Sequence, residues 1–291
     1  MQNRPSTYFA SRSLRTRAVV TGASAWTRGR SDQRRVNDHD ELTRRLAAAG
    51  FVAADEESRE LIEASKGDDD LLESLVERRL SGEPLAWITG STTFCGLKVL
   101  VAHGVYVPRW QSEPLVDRAV SRLPERGIAV DLCTGSGAIA MVLRSKRPEA
   151  RVVASDLDER AVACSLTNGI DAHLGDLFAP LPRGLEGLVD VIVGVVPYVP
   201  TRSLELMPRD TLRFESTMSY DGGVDGTDIL RRVIRESPRF LGSGGMLLLE
   251  LGGDQAQRLE GELASHGFSE VAVLVDDDGD VRGIEATLAS R

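Results

Sequence analysis

From about Asn37 the chain repeats apolar residues three and four positions apart. Asp40–Ala49 predicts a helix closed by Gly50. Glu56–Ser65 and Leu71–Leu80 predict two more, with Leu71, Leu72, Leu75, Val76 and Leu80 on one face. Gly82 and Pro84 then break the period across 81–90. Residues 91–102 read as two short strands about Gly96. Beyond them, strand and helix patterns alternate. Gly127–Leu132, Arg151–Asp156, Val189–Val193 and Met246–Glu250 predict strands, with a short one near His173. Ala138–Ser145, Glu159–Asn168, Ile229–Phe240 and Ala256–His266 predict helices. The chain ends differently: Phe268–Val275 and Val281–Ala289 read as two strands joined by the acidic turn Asp276–Asp280.

This alternation predicts an α/β fold with a Rossmann-like, doubly wound parallel sheet. The terminal hairpin adds antiparallel strands to it. The expected organisation is a basic, flexible extension over 1–36, a small helical domain over 37–85, a connecting β-hairpin over 86–106 and a large domain over 107–291.

Gly135 and Gly137 stand where a strand gives way to a helix. Residues without Cβ allow the backbone to turn tightly there and approach a ligand. The amides that open the helix then face that ligand. Asp156 ends the next predicted strand, where a carboxylate can accept both hydroxyls of a ribose. Asp176, in His173–Phe178, follows the short third strand and is placed to accept from an adenine amino group. Gly135–Ala140 also fits the dinucleotide fingerprint, with Asp156 about twenty residues on, so NAD is one reading. S-adenosylmethionine is the other. Asp131 ahead of the loop can hold the amino group of a methionine moiety, and Asp176 and the terminal hairpin suit a methyltransferase sheet. The expected cofactor is therefore S-adenosylmethionine.

Composition narrows the class further. The net charge is −9 over 291 residues, which argues against direct nucleic-acid binding. The charge is uneven: residues 1–36 carry eight Arg and one acid, Asp32, leaving the rest strongly acidic. The extension resembles a transit peptide in composition, but no adjacent Arg pair precedes an apolar region, so export is not expected. There is no apolar run of about 18 residues, and no membrane span is expected. Cys95, Cys133 and Cys164 are widely spaced, and the four His show no metal-ligand spacing. No metal is expected, and a reducing cytoplasm is the expected setting.

Several segments resemble, in order, the HemK/PrmC methyltransferases from about residue 40 to the end. They are Gly82–Gly90, Val107–Glu113 (the family's Ile-Pro-Arg-Pro-Asp-Thr-Glu), Asp131–Gly137, Phe214-Glu215 with Asp221–Asp228, and Leu241–Glu250. That family methylates the glutamine side-chain amide in the Gly-Gly-Gln loop of peptide release factors. The resemblance implies cofactor contacts from Arg109, Glu113, Asp131, Thr134, Gly135, Gly137, Asp156, Leu157, Asp176 and Leu177. It implies a catalytic group of Val196, Pro197, Tyr198 and Glu215.

The main departure is Val195-Val-Pro-Tyr198, where the family has Asn-Pro-Pro-Tyr. An amide nitrogen is a poor nucleophile because its lone pair is delocalised. The family's Asn oxygen and the next carbonyl accept its two N–H groups and aim it. Val195 has no acceptor, though the Val196 carbonyl remains. Losing one such contact at a reacting atom costs roughly 10²–10³ in rate. Cys133 stands for a loop glycine, and Trp110 for a proline, where it would wall a site or pack. An amine or guanidinium needs carboxylates rather than an Asn, and Glu113, Glu215 and the Asp221–Asp228 cluster are candidates. The expectation is an N-methyltransferase redirected to a small amino or guanidino substrate such as free arginine. The alternatives are a release-factor glutamine methyltransferase, a decayed binding homologue, or an NAD-dependent oxidoreductase.

Overall fold

The computed structural model describes residues 39–207, 213–276 and 278–290. The basic extension expected over 1–36 lies outside them. The chain forms two compact units, divided between Ser58 and Arg59. In the first, helix α1 (39–48) buries Leu42 and Leu46. Gly50 closes it at φ +93, and the Phe51 N–H returns to the Leu46 carbonyl at 3.1 Å. Glycine takes that left-handed cap without strain. Helix α2 (Ala54–Ser65) begins in this unit.

In the second unit, Asp68 opens α3 (Asp69–Leu80) by accepting the Leu71 N–H at 2.9 Å. The expected leucine face is only half realised. Leu75 and Val76 are buried, but Leu71 is 41% exposed beside the exposed acids Asp68–Asp70, which keep that turn in solvent. A short helix, α4 (Leu85–Thr89), occupies the stretch read as a break. A single turn leaves no period to detect, yet it buries Ala86, Trp87 and Ile88. Strands β1 (Ser91–Phe94) and β2 (Leu97–Leu100) form the expected hairpin about Gly96. Helix α5 (Glu113–Arg122) was not expected. Its Pro114 reads as a breaker but sits in the first turn, where its missing N–H costs nothing.

The main sheet contains β3 (Ile128–Leu132), β4 (Arg151–Asp156), β5 (Asp171–Leu174), β6 (Val189–Gly194), β7 (Leu241–Glu250), β8 (Phe268–Val275) and β9 (Val281–Leu288). Its order is β5-β4-β3-β6-β7-β9-β8. The first five run parallel, while β9 lies antiparallel to β7 and β8 antiparallel to β9. The central strands β3, β4, β6 and β7 are buried on both faces, as parallel strands require, while the edge strand β8 is largely exposed. Ala129, Val191, Val193 and Leu248 belong to the core beneath α5, α6 (Ala138–Lys146) and α7 (Glu159–Thr167). Val130, Leu132, Ile192 and Leu247 belong to the other core, with α8 (Asp228–Glu236) and α9 (Gln255–Ser265). The helix expected to reach Phe240 stops at Glu236, because Pro238 converts its end to a 3-10 turn. Strand order reverses between β3 and β6, so the crevice at their carboxyl ends is where such a sheet binds ligands. Among the described residues, no helix is long and apolar enough to cross a membrane.

Candidate active site

A cavity of about 1180 Å³ opens at the carboxyl ends of β3, β4, β6 and β7. That exceeds the usual small-ligand pocket of ~300–1,000 Å³ and leaves room for a cofactor and an incoming side chain. Cys133 and Gly135 reach it from β3, Asp156 and Leu157 from β4, and Asp176 and Leu177 from beyond β5. Val195, Val196, Pro197 and Tyr198 reach it from β6, together with Arg109 from the turn before α5. Glu113, Asp131, Thr134, Gly137 and Glu215 do not line it.

The loop after β3 is shaped by backbone conformation. Cys133, Gly135 and Gly137 all take φ above +50. A Cβ on Gly137 would lie 2.5 Å from Ser165 Oγ, so this position needs glycine for space as well as for φ. Cys133 tolerates its left-handed conformation at a cost. Burial and the carboxylates of Asp156, Asp131 and Asp176 push its thiol well up, so it is not a ready thiolate.

Asp131 sits behind the loop and orders it. Its Oδ2 accepts from Thr134 Oγ1 at 2.6 Å and from the Ala140 N–H at 3.2 Å. Its Oδ1 is buried with no hydrogen-bond partner among the described residues. Burial raises its pKa to about 7, against those two hydrogen bonds. Asp156 accepts the Gly135 N–H at 2.8 Å and the Asp158 N–H at 2.9 Å, which ties the end of β4 to the glycine loop. Burial raises its pKa too. Asp176 accepts from Arg232 on α8 at 2.7 Å. The donor set fits S-adenosylmethionine. It offers an orphaned buried carboxylate oxygen for an ammonium, a strand-end carboxylate for ribose hydroxyls, and a glycine loop between them.

The segment Asp221–Asp228 works as a clamp. The Val199 N–H donates to the Tyr220 carbonyl at 2.8 Å, and the Gly222 N–H to the Val199 carbonyl at 2.9 Å. Gln255 Nε2 donates to the Tyr198 carbonyl at 2.7 Å and the Gly226 carbonyl at 3.1 Å. A Cβ on Gly226 would meet the Tyr198 carbonyl at 2.2 Å, and one on Gly222 the Pro197 carbonyl at 2.8 Å. These glycines let the 195–199 loop lie against the clamp.

Four of the carboxylates considered for a cationic substrate, Glu113, Glu215, Asp221 and Asp225, are engaged within the chain. Glu113 accepts the Cys95 N–H at 2.9 Å. Glu215, 4% exposed, takes both oxygens to Arg109 Nη2 at 2.7 and 2.9 Å and also accepts from the Tyr220 hydroxyl. Burial raises the Glu215 pKa and the Arg109 charge opposes that. Asp221 accepts from Thr201 Oγ1 at 2.7 Å and the Gly223 N–H at 3.0 Å, and Asp225 from Thr227 Oγ1 at 2.6 Å. These are the local turns in which an Asp side chain caps its own backbone. Trp110 is 67% exposed and lines no part of the cavity, so it neither walls the site nor packs.

Among the lining residues that the sequence does not point to are Tyr106, Gln111, Arg232 and Glu250. Tyr106 meets the Tyr220 ring edge-on at 5.6 Å, and burial raises its pKa to about 12. Glu250 accepts from the Tyr198 hydroxyl at 2.9 Å, and burial raises its pKa. Gln111 and Glu250 lie inside segments that had already been singled out, so their motifs were the available signal. Tyr106 and Arg232 carried none.

A glycine loop after the first strand of the sheet, acids after the next two and a terminal antiparallel pair define an S-adenosylmethionine-dependent methyltransferase. Renumbered within the sheet, its strand order is 3-2-1-4-5-7-6, whereas a plain dinucleotide fold runs 3-2-1-4-5-6. No protein-family model matches the chain. It is 35% identical over 211 residues to the release factor glutamine methyltransferase of Geobacter sulfurreducens, covering 70% of this chain and 73% of that one. It is 38% identical over 209 residues to the release factor glutamine methyltransferase of Neisseria gonorrhoeae, covering 69% and 76%. The chain belongs to the release factor glutamine methyltransferase family. Among solved structures, the hMettl16 catalytic domain shares the fold, with a TM-score of 0.50 at 14% identity over 67% of this chain and 77% of that one.

Proposed function

We propose that this enzyme methylates the side-chain amide nitrogen of a glutamine in a peptide release factor. The observation that carries this reading is the likeness to two release factor glutamine methyltransferases over about 70% of the chain, and the engagement of Glu113, Glu215, Asp221 and Asp225 within the chain agrees with it. A guanidinium or amine needs carboxylates to hold its charge. A neutral amide does not. The relatives' names point to the same acceptor, and a release-factor protein is the partner we assign.

In this reading the domain over 107–291 holds both substrates. Bound S-adenosylmethionine supplies an electrophilic methyl on a sulfonium. Asp131 Oδ1 would hold the ammonium, Asp156 the ribose hydroxyls and Asp176 the adenine edge, and Leu157 and Leu177 would flank the ring. Gly135, Gly137 and Thr134 shape the loop. Arg109 and Glu215 act as a pair that fixes the turn before α5, and Glu113 supports that turn from behind. Val196, Pro197 and Tyr198 form the wall against which the glutamine lies. The work of these residues is alignment, which makes an in-line displacement effectively unimolecular.

The test is methyl transfer from labelled S-adenosylmethionine to purified release factor, with free arginine as the competing acceptor and peptide mass mapping of the product. One methyl on a glutamine side chain, with none on arginine, is expected. Transfer to arginine, or to no acceptor despite cofactor binding, would sink the reading.

A further inference from the structure

The 195–198 loop lacks the side-chain acceptor that an amide substrate needs, and a second residue in the same cavity carries one. Gln111 lines the cavity alongside Val195 and Tyr198. Its Oε1 is buried and has no hydrogen-bond partner among the described residues. A buried acceptor left unpaired is costly, and a bound donor removes that cost.

The position of Gln111 is fixed from both sides. It lies in the 3-10 turn Trp110–Ser112, closed by the Ser112 N–H to the Arg109 carbonyl at 3.1 Å. Arg109 is itself held by Glu215 at 2.7 Å. Trp110 turns to solvent while Gln111 lines the cavity. The chemistry also matches. The segment resembling Ile-Pro-Arg-Pro-Asp-Thr-Glu places Gln111 where that motif has an acid. Val195 removes a carboxamide oxygen from this cavity, and Gln111 keeps an oxygen acceptor there in neutral carboxamide form.

We propose that Gln111 Oε1 accepts one N–H of the substrate amide and so supplies the contact that Val195 cannot make. The inference rests on the glutamine-methylating reading above. The Val196 carbonyl takes the second N–H. With both hydrogens held in the amide plane, the nitrogen lone pair stands perpendicular to that plane and is free to meet the methyl group. It forms the new bond to the methyl carbon as the carbon–sulfur bond breaks. The breaking pair stays on sulfur, and one N–H proton passes to water. Gln111, a neutral carboxamide, accepts the hydrogen bond without taking the proton.

The test uses the full chain with release factor as acceptor, in wild type, Gln111→Met, Val195→Asn and the double variant. Met matches Gln in length and lacks the acceptor. Gln111→Met is expected to lower kcat by roughly 10²-fold, the usual loss for one aimed contact at a reacting atom. Affinity for S-adenosylhomocysteine and the thermal midpoint should stay at wild-type values. Adding Val195→Asn to Gln111→Met should restore most of kcat. Unchanged kcat in Gln111→Met overturns the inference, as does a fall that tracks a lower thermal midpoint or that Val195→Asn does not rescue. Wild type that never methylates release factor overturns the glutamine reading itself, which separates the two failures.

Discussion

The two walls of the cavity are built by different means. The wall proposed for the cofactor comes from consecutive strand ends of one sheet: the 131–137 loop, Asp156 and Asp176. Its loop is braced between strand ends, by Thr134 to Asp131 and by Gly135 to Asp156. The wall proposed for the substrate, 195–199, is a single strand-end loop held by the 220–226 segment and by Gln255. The 131–137 loop matches the motif it resembles at every position except Cys133. The second wall has lost its asparagine. A wall made of backbone turns tolerates little change, because its glycines are set by φ and space. A wall made of side chains pressed on a clamp can exchange one acceptor for another. Departures should therefore alter catalysis on the substrate side and leave cofactor binding intact.

The clamp is the place to break this contrast most severely. Gly226→Ala puts a Cβ against the Tyr198 carbonyl at φ +77 and should cost about 3–5 kcal/mol from clash and left-handed strain. Thermal unfolding should show the loss, and transfer activity should vanish in the protein that remains folded. Arg109→Ala should come next. It strips the buried Glu215 of its charged partner, and with the Tyr220 hydroxyl still donating the cost should be about 2 kcal/mol. Adding Glu215→Gln should recover part of it, since a neutral amide needs no counter-charge. No recovery would mean the pair acts elsewhere.

Asp131 sharpens the cofactor side through pH. Its pKa is raised to about 7 by burial, so the folded protein holds a proton that the unfolded chain releases above about 4. The ligand-free fold should thus lose stability as pH rises from about 4 toward 7. Ligand binding runs the other way. An ammonium requires the ionised form, so below pH 7 a proton must leave. The affinity for S-adenosylhomocysteine should fall by up to about tenfold per pH unit there and level off above 7. Asp131→Asn should abolish that slope, and a slope that survives would remove Asp131 from the ammonium contact. The smallest effect belongs to Cys133. Replacing it by Gly relieves left-handed strain and loses some packing and chain stiffness, so stability should change by less than about 1 kcal/mol. Denaturant midpoints would measure it.

The sequence disclosed the first wall and the sheet because both depend on local signals. Strand-end acids, positive-φ glycines and alternating periods are written in consecutive residues. Pro114 and the single turn Leu85–Thr89 defeated that reading, one by imitating a break and the other by being shorter than a period. The Asp221–Asp228 run misled for a different reason. Read as a charge cluster it invites a cation, whereas folded it is a set of capped turns bearing on 195–199. Nor does spacing reveal that Gln111, 84 positions before Val195, shares its cavity. Such pairings are products of topology.

The separation of the two walls is tested most directly by calorimetric titration of S-adenosylhomocysteine into wild type, Asp156→Ala and Tyr198→Phe. Wild type should bind, Tyr198→Phe should bind within about threefold of it, and Asp156→Ala should lose at least about tenfold, as expected for charge-assisted hydrogen bonds to ribose hydroxyls. Equal weakening in both variants, or no binding by wild type, would contradict a cofactor wall that stands apart from the substrate wall.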